Sequence, residues 1–425
     1  MEIRDPIHGP MPVSSAELPV VDHPWLQRLR EIRQTGFSHL PFPSATHTRH
    51  AHSLGVMHLA GQAFDHAFSR HPLPDAKRAA LRACVRVAAL CHDLGHPPFS
   101  HCTEFAMPPL SALGLTWAPP EADRRATHED YTLAILERTD LGRTIDENFP
   151  FTARHVAALI CADVDPGDDF FRSGGLDHQL VCSQLVSSEI DCDRLDYLVR
   201  DSYFSGARYG QIDTSWILTS LGTSITADDR VVLALDDRAI YAFDDFLIAR
   251  HHMFLMIYFH HKSVIYEEML RRWVGSRDAR FVLPADLDEY RTMDDIALEV
   301  RLRGSTNPWA RRIVGRQPYR RVLERHGRPD EVNLEVACER LFEAGIGHIH
   351  AASTGRLSRY AGPKRAHTAP IAVVHRLPGL PAERTRALEG ASDVFVRYAD
   401  ERCIARVYVS PEELAAARAT IGDLA

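Results

Sequence analysis

The stretch that decides the fold of this chain is residues 91–101, which read CHDLGHPPFSH. It places a histidine directly before an aspartate, at His92 and Asp93. His92 continues a helical stripe that carries Leu81 and Val85, and the two prolines that follow HDLGH end this helix. An imidazole nitrogen beside a carboxylate oxygen suits a divalent transition metal. The dipeptide therefore predicts two ligands of a metal site whose remaining ligands lie elsewhere in the chain.

Two further ligands stand on apolar helical stripes far from this dipeptide. His52 shares its stripe with Val56, and Asp193 shares its stripe with Ile190 and Tyr197. A carboxylate on a face that packs into the core is costly unless it is paired or bound to a metal. An ion held by His52, the histidine–aspartate pair and Asp193 satisfies this requirement. For each residue alone, a satisfied core histidine or a buried salt bridge to an arginine explains the pattern as well.

The composition sets the class of protein. Of 425 residues, 45% are hydrophobic and 25% are charged, which is typical of a soluble globular protein. The net charge of -8 argues against a main role in coating nucleic acid or an anionic membrane. The eight cysteines form no CxxC pair, and we find neither a signal-like start nor a long apolar run. We therefore expect a cytoplasmic protein that does not contact a membrane.

Helical periodicity dominates the chain up to about residue 275. We predict a mainly α protein with two parts, a helical core over residues 1–275 and a smaller α+β C-terminal region over 276–425. The predicted helices include 24–34, 50–69, the stretch from Pro74 to His92 and 243–274. The predicted strands are 231–235 paired with 239–242, 371–375, and 394–398 in a hairpin with 404–409.

The order of the four candidate ligands resembles the H…HD…D signature of the HD-domain metal-dependent phosphohydrolases. The similarity extends to the deoxynucleoside triphosphate triphosphohydrolases of that superfamily and runs to about residue 274, more weakly beyond. The motifs that carry it are DPIHG at 5–9, DHPWLQRLREIRQTG at 22–36, HTRHAHSLGV at 47–56, CHDLGHPPFSH at 91–101 and IDCDRLDYLVRD at 190–201. This resemblance implies an HD-type helical core.

It also implies a mechanism. A divalent ion, which the ligand set does not narrow beyond Mn, Fe, Mg, Co, Ni or Zn, would be held by His52, His92, Asp93 and Asp193. Water would attack the α-phosphorus of a deoxynucleoside triphosphate (dNTP) and release deoxynucleoside and inorganic triphosphate. The resemblance makes His101 and Glu104 a catalytic dyad that transfers the proton. His128 would be a further catalytic histidine that faces the phosphates, although its place beside Thr127 equally suits the start of a helix.

The same resemblance assigns eight substrate contacts, for which ordinary structural uses of arginine and tyrosine are the alternative. Arg49, His96, Arg194 and Arg250 would bind phosphate oxygens. Gln34, Tyr197, Asp201 and Tyr258 would surround a deoxyribose and exclude a 2′-hydroxyl.

The resemblance also implies a regulatory nucleotide site, but only some of the residues of that site are matched in this chain. Its base-reading residues would be Asp22, Gln27 and Arg30, and His260 matches a further residue of the site. The basic residues of the related phosphate clamp correspond here to Met1, Met256 and His261, so the clamp is weakened. The resemblance also implies a homo-oligomer, and the alternative for Asp22 and Arg30 is an ordinary surface pair.

Three functions follow from these patterns. The first is a metal-dependent dNTP triphosphohydrolase. The second keeps the site but acts on another nucleotide or on a single-stranded nucleic-acid end, and the third is a nucleotide sensor without catalysis. The arginine-rich stretch 301–328 is one place where nucleic acid could bind, but its alternation with apolar residues is more typical of a solvated amphipathic face.

Overall fold

The structure is a computed structural model, and it describes residues 1–117, 124–279, 281–355, 371–375, 384–392, 394 and 401–424. Most of these residues lie in helices, and the sheets are small. The predicted fold class, mainly α with a smaller α+β C-terminal part, is confirmed. No helix among the described residues combines the length and apolar character needed to cross a membrane.

The α-helices of the described residues are α1 (Leu18–Val21), α2 (Pro24–Arg28), α3 (Arg49–Ala67), α4 (Asp75–Cys91), α5 (His128–Arg138), α6 (Asp140–Asn148), α7 (Ala153–Ile160), α8 (Gln179–Val186), α9 (Cys192–Ser205), α10 (Thr214–Thr219), α11 (Ile240–Met253), α12 (His261–Val274), α13 (Leu287–Arg291), α14 (Asp295–Gly304), α15 (Pro308–Val314), α16 (Glu335–Glu343) and α17 (Leu414–Ile421). Short 3-10 turns add Leu29–Glu31, Gly36–His39, Ser100–Ala106, Leu110–Leu113, Arg208–Gly210, Asp237–Ala239, Leu388–Gly390 and Pro411–Glu413.

The strands are β1 (Glu2–Asp5), β2 (Gly9–Pro12), β3 (Arg172–Ser173), β4 (Leu176–Asp177), β5 (Leu221–Ile225), β6 (Val231–Asp236), β7 (Arg320–Gly327), β8 (His348–Gly355), β9 (Ala372–His375), β10 (Arg384–Ala387) and β11 (Arg402–Val409). The strand pairs β1–β2 and β3–β4 are antiparallel ribbons. The larger sheets have the orders β10-β9-β6-β5 and β7-β11-β8, with β6 and β9 parallel and the other neighbours antiparallel.

The arrangement of α3, α4 and α9 positions the site. The long helix α3 packs against both α4 and α9. Asp191 caps the start of α9 by accepting the N–H of Arg194, and Gly206 ends the helix in the left-handed region with φ 75°. The last turn of α4, the first turn of α3 and the first turn of α9 therefore meet at one place.

The described residues form two hydrophobic cores. The larger one includes side chains on both sides of residue 275, such as Trp273 and Leu283. The smaller one joins β7, β11, α16 and α17 through residues such as Leu323, Leu341 and Val407. The division into 1–275 and 276–425 stays a proposal.

Several predicted elements differ from the structure. Residues 239–242 form no strand, because Asp236 accepts the N–H of Arg238 and the chain enters a 3-10 turn and then α11; the partner of β6 is β5. The helix predicted over 243–274 is interrupted by a π-helical turn, Phe254–Tyr258, and restarts where His260 caps α12. The helix predicted over 24–34 tightens into a 3-10 turn after Arg28.

In the C-terminal sheet, the strands predicted over 371–375 and 404–409 are confirmed as β9 and β11. The hairpin predicted for β11 is wrong, because β7 and β8 occupy both of its edges. Most of its predicted partner, residues 395–398, lies outside the described residues.

Candidate active site

The four predicted metal ligands meet in one cluster, called the inner cluster below and made of His52, His92, Asp93 and Asp193. Nε2 of His52 lies 3.0 Å from Oδ1 of Asp193 and 3.6 Å from Oδ2 of Asp93. Nε2 of His92 lies 3.2 Å from Oδ1 of Asp93 and 3.7 Å from Oδ1 of Asp193. Their polar atoms thus converge, as the sequence predicted.

Both imidazoles of the inner cluster are oriented through the nitrogen that faces away from it. Nδ1 of His52 is 2.7 Å from Oδ2 of Asp196, and Nδ1 of His92 is 2.8 Å from the carbonyl oxygen of Ala89. If each Nδ1 donates its proton there, a lone pair on each Nε2 faces the cluster. Both Nε2 atoms are buried and have no hydrogen bond of good geometry among the described residues, despite the short distance from His52 to Asp193. This donor set fits a divalent ion.

The electrostatics of the inner cluster favour a cation. Burial opposes the protonation of His52, but the carboxylates of Asp193 and Asp196 outweigh it and raise the pKa of this imidazole to about 10. Burial likewise opposes ionisation of Asp93, yet the nearby Arg49 and the cluster histidines hold its pKa well below its usual range. The carboxylates therefore stay negative and attract positive charge.

A second layer of buried ion pairs supports His52. Asp196 accepts hydrogen bonds from His8 at 2.6 Å and from Nε of Arg200 at 2.7 Å, and Arg200 also binds Asp5 at 2.8 Å. A side chain at Gly55 would place its Cβ 2.0 Å from Asp196, so only glycine fits there. Sequence reasoning missed this layer, although the DPIHG motif and the four-residue spacing of Asp196 and Arg200 were available as signals.

The turn that follows the histidine–aspartate pair is strained. Phe99 and Ser100 both have positive φ, 56° and 57°. The N–H groups of Phe99 and Arg33 donate to the two oxygens of the buried Asp295, at 2.6 and 3.1 Å. Ser100 donates to the carbonyl of Arg33 and accepts from Nε of Arg49, both at 2.7 Å. Asp295 was also missed, because nothing near it in the sequence relates it to this turn.

A second group, called the outer cluster below, is made of His96, His101, Glu104 and His128. The 3-10 turn Ser100–Ala106 contributes His101 and Glu104, and α5 contributes His128. Nδ1 of His101 lies 3.1 Å from Oε2 of Glu104, and Nδ1 of His128 hydrogen-bonds Oε1 of the same carboxylate. The rings of His96 and His128 stack with centroids 3.9 Å apart. Burial opposes ionisation of Glu104, but its two histidine partners hold its pKa far below its usual range.

The outer cluster confirms the predicted contact of His101 with Glu104, although a 3-10 turn rather than an α-helix brings them together. His128 was interpreted either as a histidine of the active site or as the start of a helix, and its position agrees with both. It is the first residue of α5, which Thr127 caps by accepting the N–H of Asp130, and it also faces Glu104. Asp93 links the clusters, because its Oδ1 is 3.3 Å from Nε2 of His96.

The predicted phosphate-binding arginines are buried and contact protein carboxylates. Nη1 of Arg49 donates to Oδ2 of Asp93 at 2.5 Å. Nη1 of Arg250 lies 3.3 Å from Glu189, and Nη1 of Arg194 lies 3.8 Å from the same residue. Arg49 is therefore bonded directly to a predicted metal ligand, whereas Arg194 and Arg250 both lie near the carboxylate of Glu189.

The predicted sugar-binding residues also lie together. Asp201 accepts the hydroxyl of Tyr258 and lies 2.7 Å from it, and the ring of Tyr258 meets that of Tyr197 edge-on with centroids 6.3 Å apart. His47, which sequence reasoning missed, binds the other oxygen of Asp201 at 2.7 Å. Oε1 of Gln34 is buried and has no hydrogen-bond partner among the described residues. Polar groups here are thus available to a further ligand.

The predicted regulatory residues are only partly brought together. Gln27 accepts the Nε–H of Arg30 at 2.6 Å, and the exposed Asp22 lies at the end of α1, directly before α2. His260 instead caps α12 and meets Phe42 edge-on. Among the described residues, no contact joins His260 to the other three.

Two family models match this chain. The HD domain model matches residues 49–199, which include both clusters, and the model of the HD-associated region matches residues 212–343. The chain is a member of the HD-domain phosphohydrolase superfamily, and its sequence is similar to that of the SAMHD1 triphosphohydrolases.

Three relatives show the range of this similarity. The uncharacterized protein MJ1154 of Methanocaldococcus jannaschii is 32% identical over 76% of this chain and 59% of its own length. The deoxynucleoside triphosphate triphosphohydrolase SAMHD1 of Gallus gallus is 32% identical over 48% of this chain and 34% of its own length. That of Homo sapiens is 31% identical over 48% of this chain and 33% of its own. The chain thus matches about a third to three fifths of these relatives.

Solved structures confirm the fold. A hypothetical protein from Aquifex aeolicus superposes with a TM-score of 0.75 at 23% identity, covering 99% of both chains. A phosphohydrolase from Bacteroides thetaiotaomicron superposes with a TM-score of 0.66 at 23% identity, covering 96% of this chain and 99% of its own. At this identity the similarity concerns the fold alone.

Proposed function

We propose that this protein hydrolyses deoxynucleoside triphosphates to deoxynucleoside and inorganic triphosphate, by attack of water at the α-phosphorus. The observation that carries the proposal is the inner cluster, in which two buried imidazole Nε2 atoms without hydrogen-bond partners among the described residues face two carboxylates. His52, His92, Asp93 and Asp193 would hold a divalent ion, which when bound polarises a phosphate oxygen and lowers the pKa of a water molecule.

The outer cluster supplies the proton chemistry. Glu104 accepts from Nδ1 of His101, which leaves Nε2 of this exposed ring to exchange a proton with the reacting group. The negative charge of Glu104 stabilises the protonated imidazole, and His128 shares the same carboxylate. Histidine suits this role because its ordinary pKa lies close to neutral pH.

Buried cations receive the phosphates. Arg49, Arg194 and Arg250 are at most 7% exposed. His96 lies 3.3 Å from Asp93 and belongs to the outer cluster, so it adds a donor between the two clusters. Guanidinium groups bind phosphate oxygens through two parallel hydrogen bonds, so a triphosphate can replace weak contacts such as the 3.8 Å separation of Arg194 from Glu189.

The sugar is bound by Asp201, Tyr197, Tyr258 and Gln34. Each carboxylate oxygen has two lone pairs, so Asp201 can accept a 3′-hydroxyl while it keeps His47 and Tyr258. The half-buried ring of Tyr197 lies one helical turn beyond Asp193 and would fill the space of a 2′-hydroxyl. A second nucleotide that binds at Asp22, Gln27 and Arg30, a homo-oligomer and a cytoplasmic location stay predictions.

A product analysis tests the proposed function. Purified protein is incubated with each dNTP and each ribonucleotide in Mn²⁺ or Mg²⁺, and triphosphate, pyrophosphate and phosphate are separated by ion-exchange chromatography. We expect triphosphate from dNTPs and little product from ribonucleotides. Asp193→Asn is the control, since it removes one candidate ligand that is partly exposed. Pyrophosphate release, or no release from any dNTP, contradicts the proposal, and activity on a cyclic nucleotide or DNA end instead favours the second candidate function.

A further inference from the structure

The outer cluster has the composition of a metal site in its own right. His96, His101, Glu104 and His128 each offer one ligand atom, and these four atoms all lie within 4.8 Å of one another. We propose that this cluster binds a second transition-metal ion, of the zinc class, and that its occupation inhibits the enzyme. The binding itself follows from the geometry, whereas the inhibition rests on the function proposed above.

The donor set selects the kind of ion. Three imidazoles and one carboxylate are typical of tetrahedral zinc and related transition metals, whereas magnesium prefers six oxygen ligands. Metal–ligand bonds of about 2.0–2.1 Å place the ligand atoms of a tetrahedral site about 3.4 Å apart. The 3.1 Å separation of His101 Nδ1 from Glu104 Oε2 is already close to that value. Small movements of an exposed ring are therefore enough to close the site.

His96 provides an independent indication of a ligand. Its side chain is 1% exposed, and its Nδ1 has no hydrogen-bond partner among the described residues. Its ring also stacks on His128 and meets His101 edge-on, with centroids 4.8 Å apart. A buried ring nitrogen without a partner is costly unless something binds it.

A comparison with another histidine–glutamate pair shows which features of the outer cluster favour a metal ion. Nε2 of His326 lies 3.1 Å from Glu324, much as His101 lies beside Glu104. Glu324, however, also binds Arg406 and Arg321, each at 2.5 Å, and no second histidine joins it among the described residues. Two guanidinium groups oppose a cation there, so His326 offers a matched control.

Occupation of the outer cluster would remove two catalytic functions at once. An ion bound by Nδ1 of His101 and by Glu104 replaces the proton that lies between them. Nε2 of this ring then has to keep its own proton and can no longer take one up from the reacting group. The ion would also bind His96, which is a proposed contact of the substrate phosphates. Inhibition should therefore weaken as the dNTP concentration rises.

Metal titration of the whole chain tests the binding without relying on activity. Protein stripped with a chelator is titrated with ZnCl2 in a calorimeter and with CoCl2 by visible absorption. We expect two ions per wild-type chain, one in Asp193→Asn/His52→Ala, and one in His101→Ala/Glu104→Gln, whose outer site weakens at least about tenfold. His326→Ala should still bind two. Circular dichroism and the Tm establish that each variant is folded.

Two results would overturn the second site: a single ion bound by the wild-type chain, or two ions bound with unchanged affinity after His101→Ala/Glu104→Gln. Enzyme assays in saturating Mn²⁺ with added Zn²⁺ then test inhibition, which should shift to higher Zn²⁺ as dNTP increases. Two bound ions in a protein inactive on every dNTP would refute the proposed function but keep the site. One bound ion in an enzyme that hydrolyses dNTPs would support the proposed function and refute the second site.

Discussion

The inner and outer clusters are linked by the contact of Asp93 with His96, but the carboxylates that support them have different partners. Behind the inner cluster, the buried carboxylate of Asp196 is paired with Arg200, His8 and His52. Beneath the turn of the outer cluster, Asp295 is bonded by two backbone N–H groups, and Glu267 lies beside the Cys102 thiol. Three buried or half-buried carboxylates thus have three kinds of partner.

Their pKa values separate accordingly. Burial raises the pKa of all three carboxyls, but Arg200 and the histidines more than compensate at Asp196 and hold its pKa well below the usual range. At Asp295 and Glu267 the effect of burial is larger than that of their hydrogen-bond partners. The pKa of Asp295 therefore rises to about 6 and that of Glu267 to about 7. Asp196 behind the inner cluster therefore stays ionised at neutral pH, whereas the two carboxyls beneath the outer cluster change their protonation between about pH 6 and pH 7.

The largest expected effect comes from the outer cluster itself. Glu104→Gln keeps the size of the side chain but removes the negative charge that stabilises protonated His101. We expect kcat for dNTP hydrolysis to fall about 10²–10⁴-fold, the usual contribution of general acid–base catalysis. Glu412→Gln, at a 64% exposed position, is the control and should change nothing. An unchanged kcat and pH profile would show that proton transfer does not use this dyad.

A smaller effect is expected when the inner cluster loses its support. Asp196→Asn keeps one acceptor oxygen but leaves Arg200 without a full counter-charge and weakens the orientation of His52. We expect metal affinity to fall about 10–100-fold, with activity restored at high metal concentration. Calorimetric titration with Mn²⁺ measures the affinity. If activity is lost while the metal affinity stays that of the wild type, the orienting role assigned to Asp196 is wrong.

The strained turn provides the third prediction. Asp295→Ala leaves the N–H groups of Phe99 and Arg33 without their acceptor. Each unsatisfied buried donor costs about 1–3 kcal/mol, so the free energy of unfolding in urea should fall by about that amount or more. Because Phe99 precedes the turn that carries His101, kcat should fall more than KM changes. Partial recovery in Asp295→Asn, which keeps an acceptor, would support the hydrogen-bonding explanation; equal loss in both variants would contradict it.

The smallest effect on activity is expected for Glu267, whose protonation changes the stability of the protein. Its pKa of about 7 lies above the ordinary value of 4.5, so the folded state binds the proton more tightly than the unfolded state. The stability from this group is complete below pH 4.5 and is lost as the pH rises to about 7. Glu267→Gln should therefore stabilise the protein by at most about 3 kcal/mol at pH 8 and leave it unchanged at pH 4. Thermal unfolding at the two pH values measures this, and equal shifts at both would exclude titration as the cause.

The sequence by itself determined the fold class and the convergence of the inner cluster. Helical periodicity shows which side chains share a face, so the spacing alone places His52 and His92 on buried stripes. The stripe predicted for Asp193 is only partly right, because Ile190 lies before the start of α9 and the Asp193 side chain is 32% exposed. The motif order then related them to one superfamily. The contact of His101 with Glu104 was also predictable, because the two residues are three positions apart within one turn.

Only the tertiary structure decided how those residues are held. Asp5, Asp196 and Arg200 meet because α9 and the β1–β2 ribbon, through β2, both pack against α3. Asp295 reaches the strained turn from nearly 200 residues further along the chain. The same limit made the C-terminal hairpin wrong, since the partners of β11 come from β7 and β8. Periodicity reports the direction of a side chain relative to its own element. The partner of a buried charge depends on how distant elements pack, which no local pattern contains.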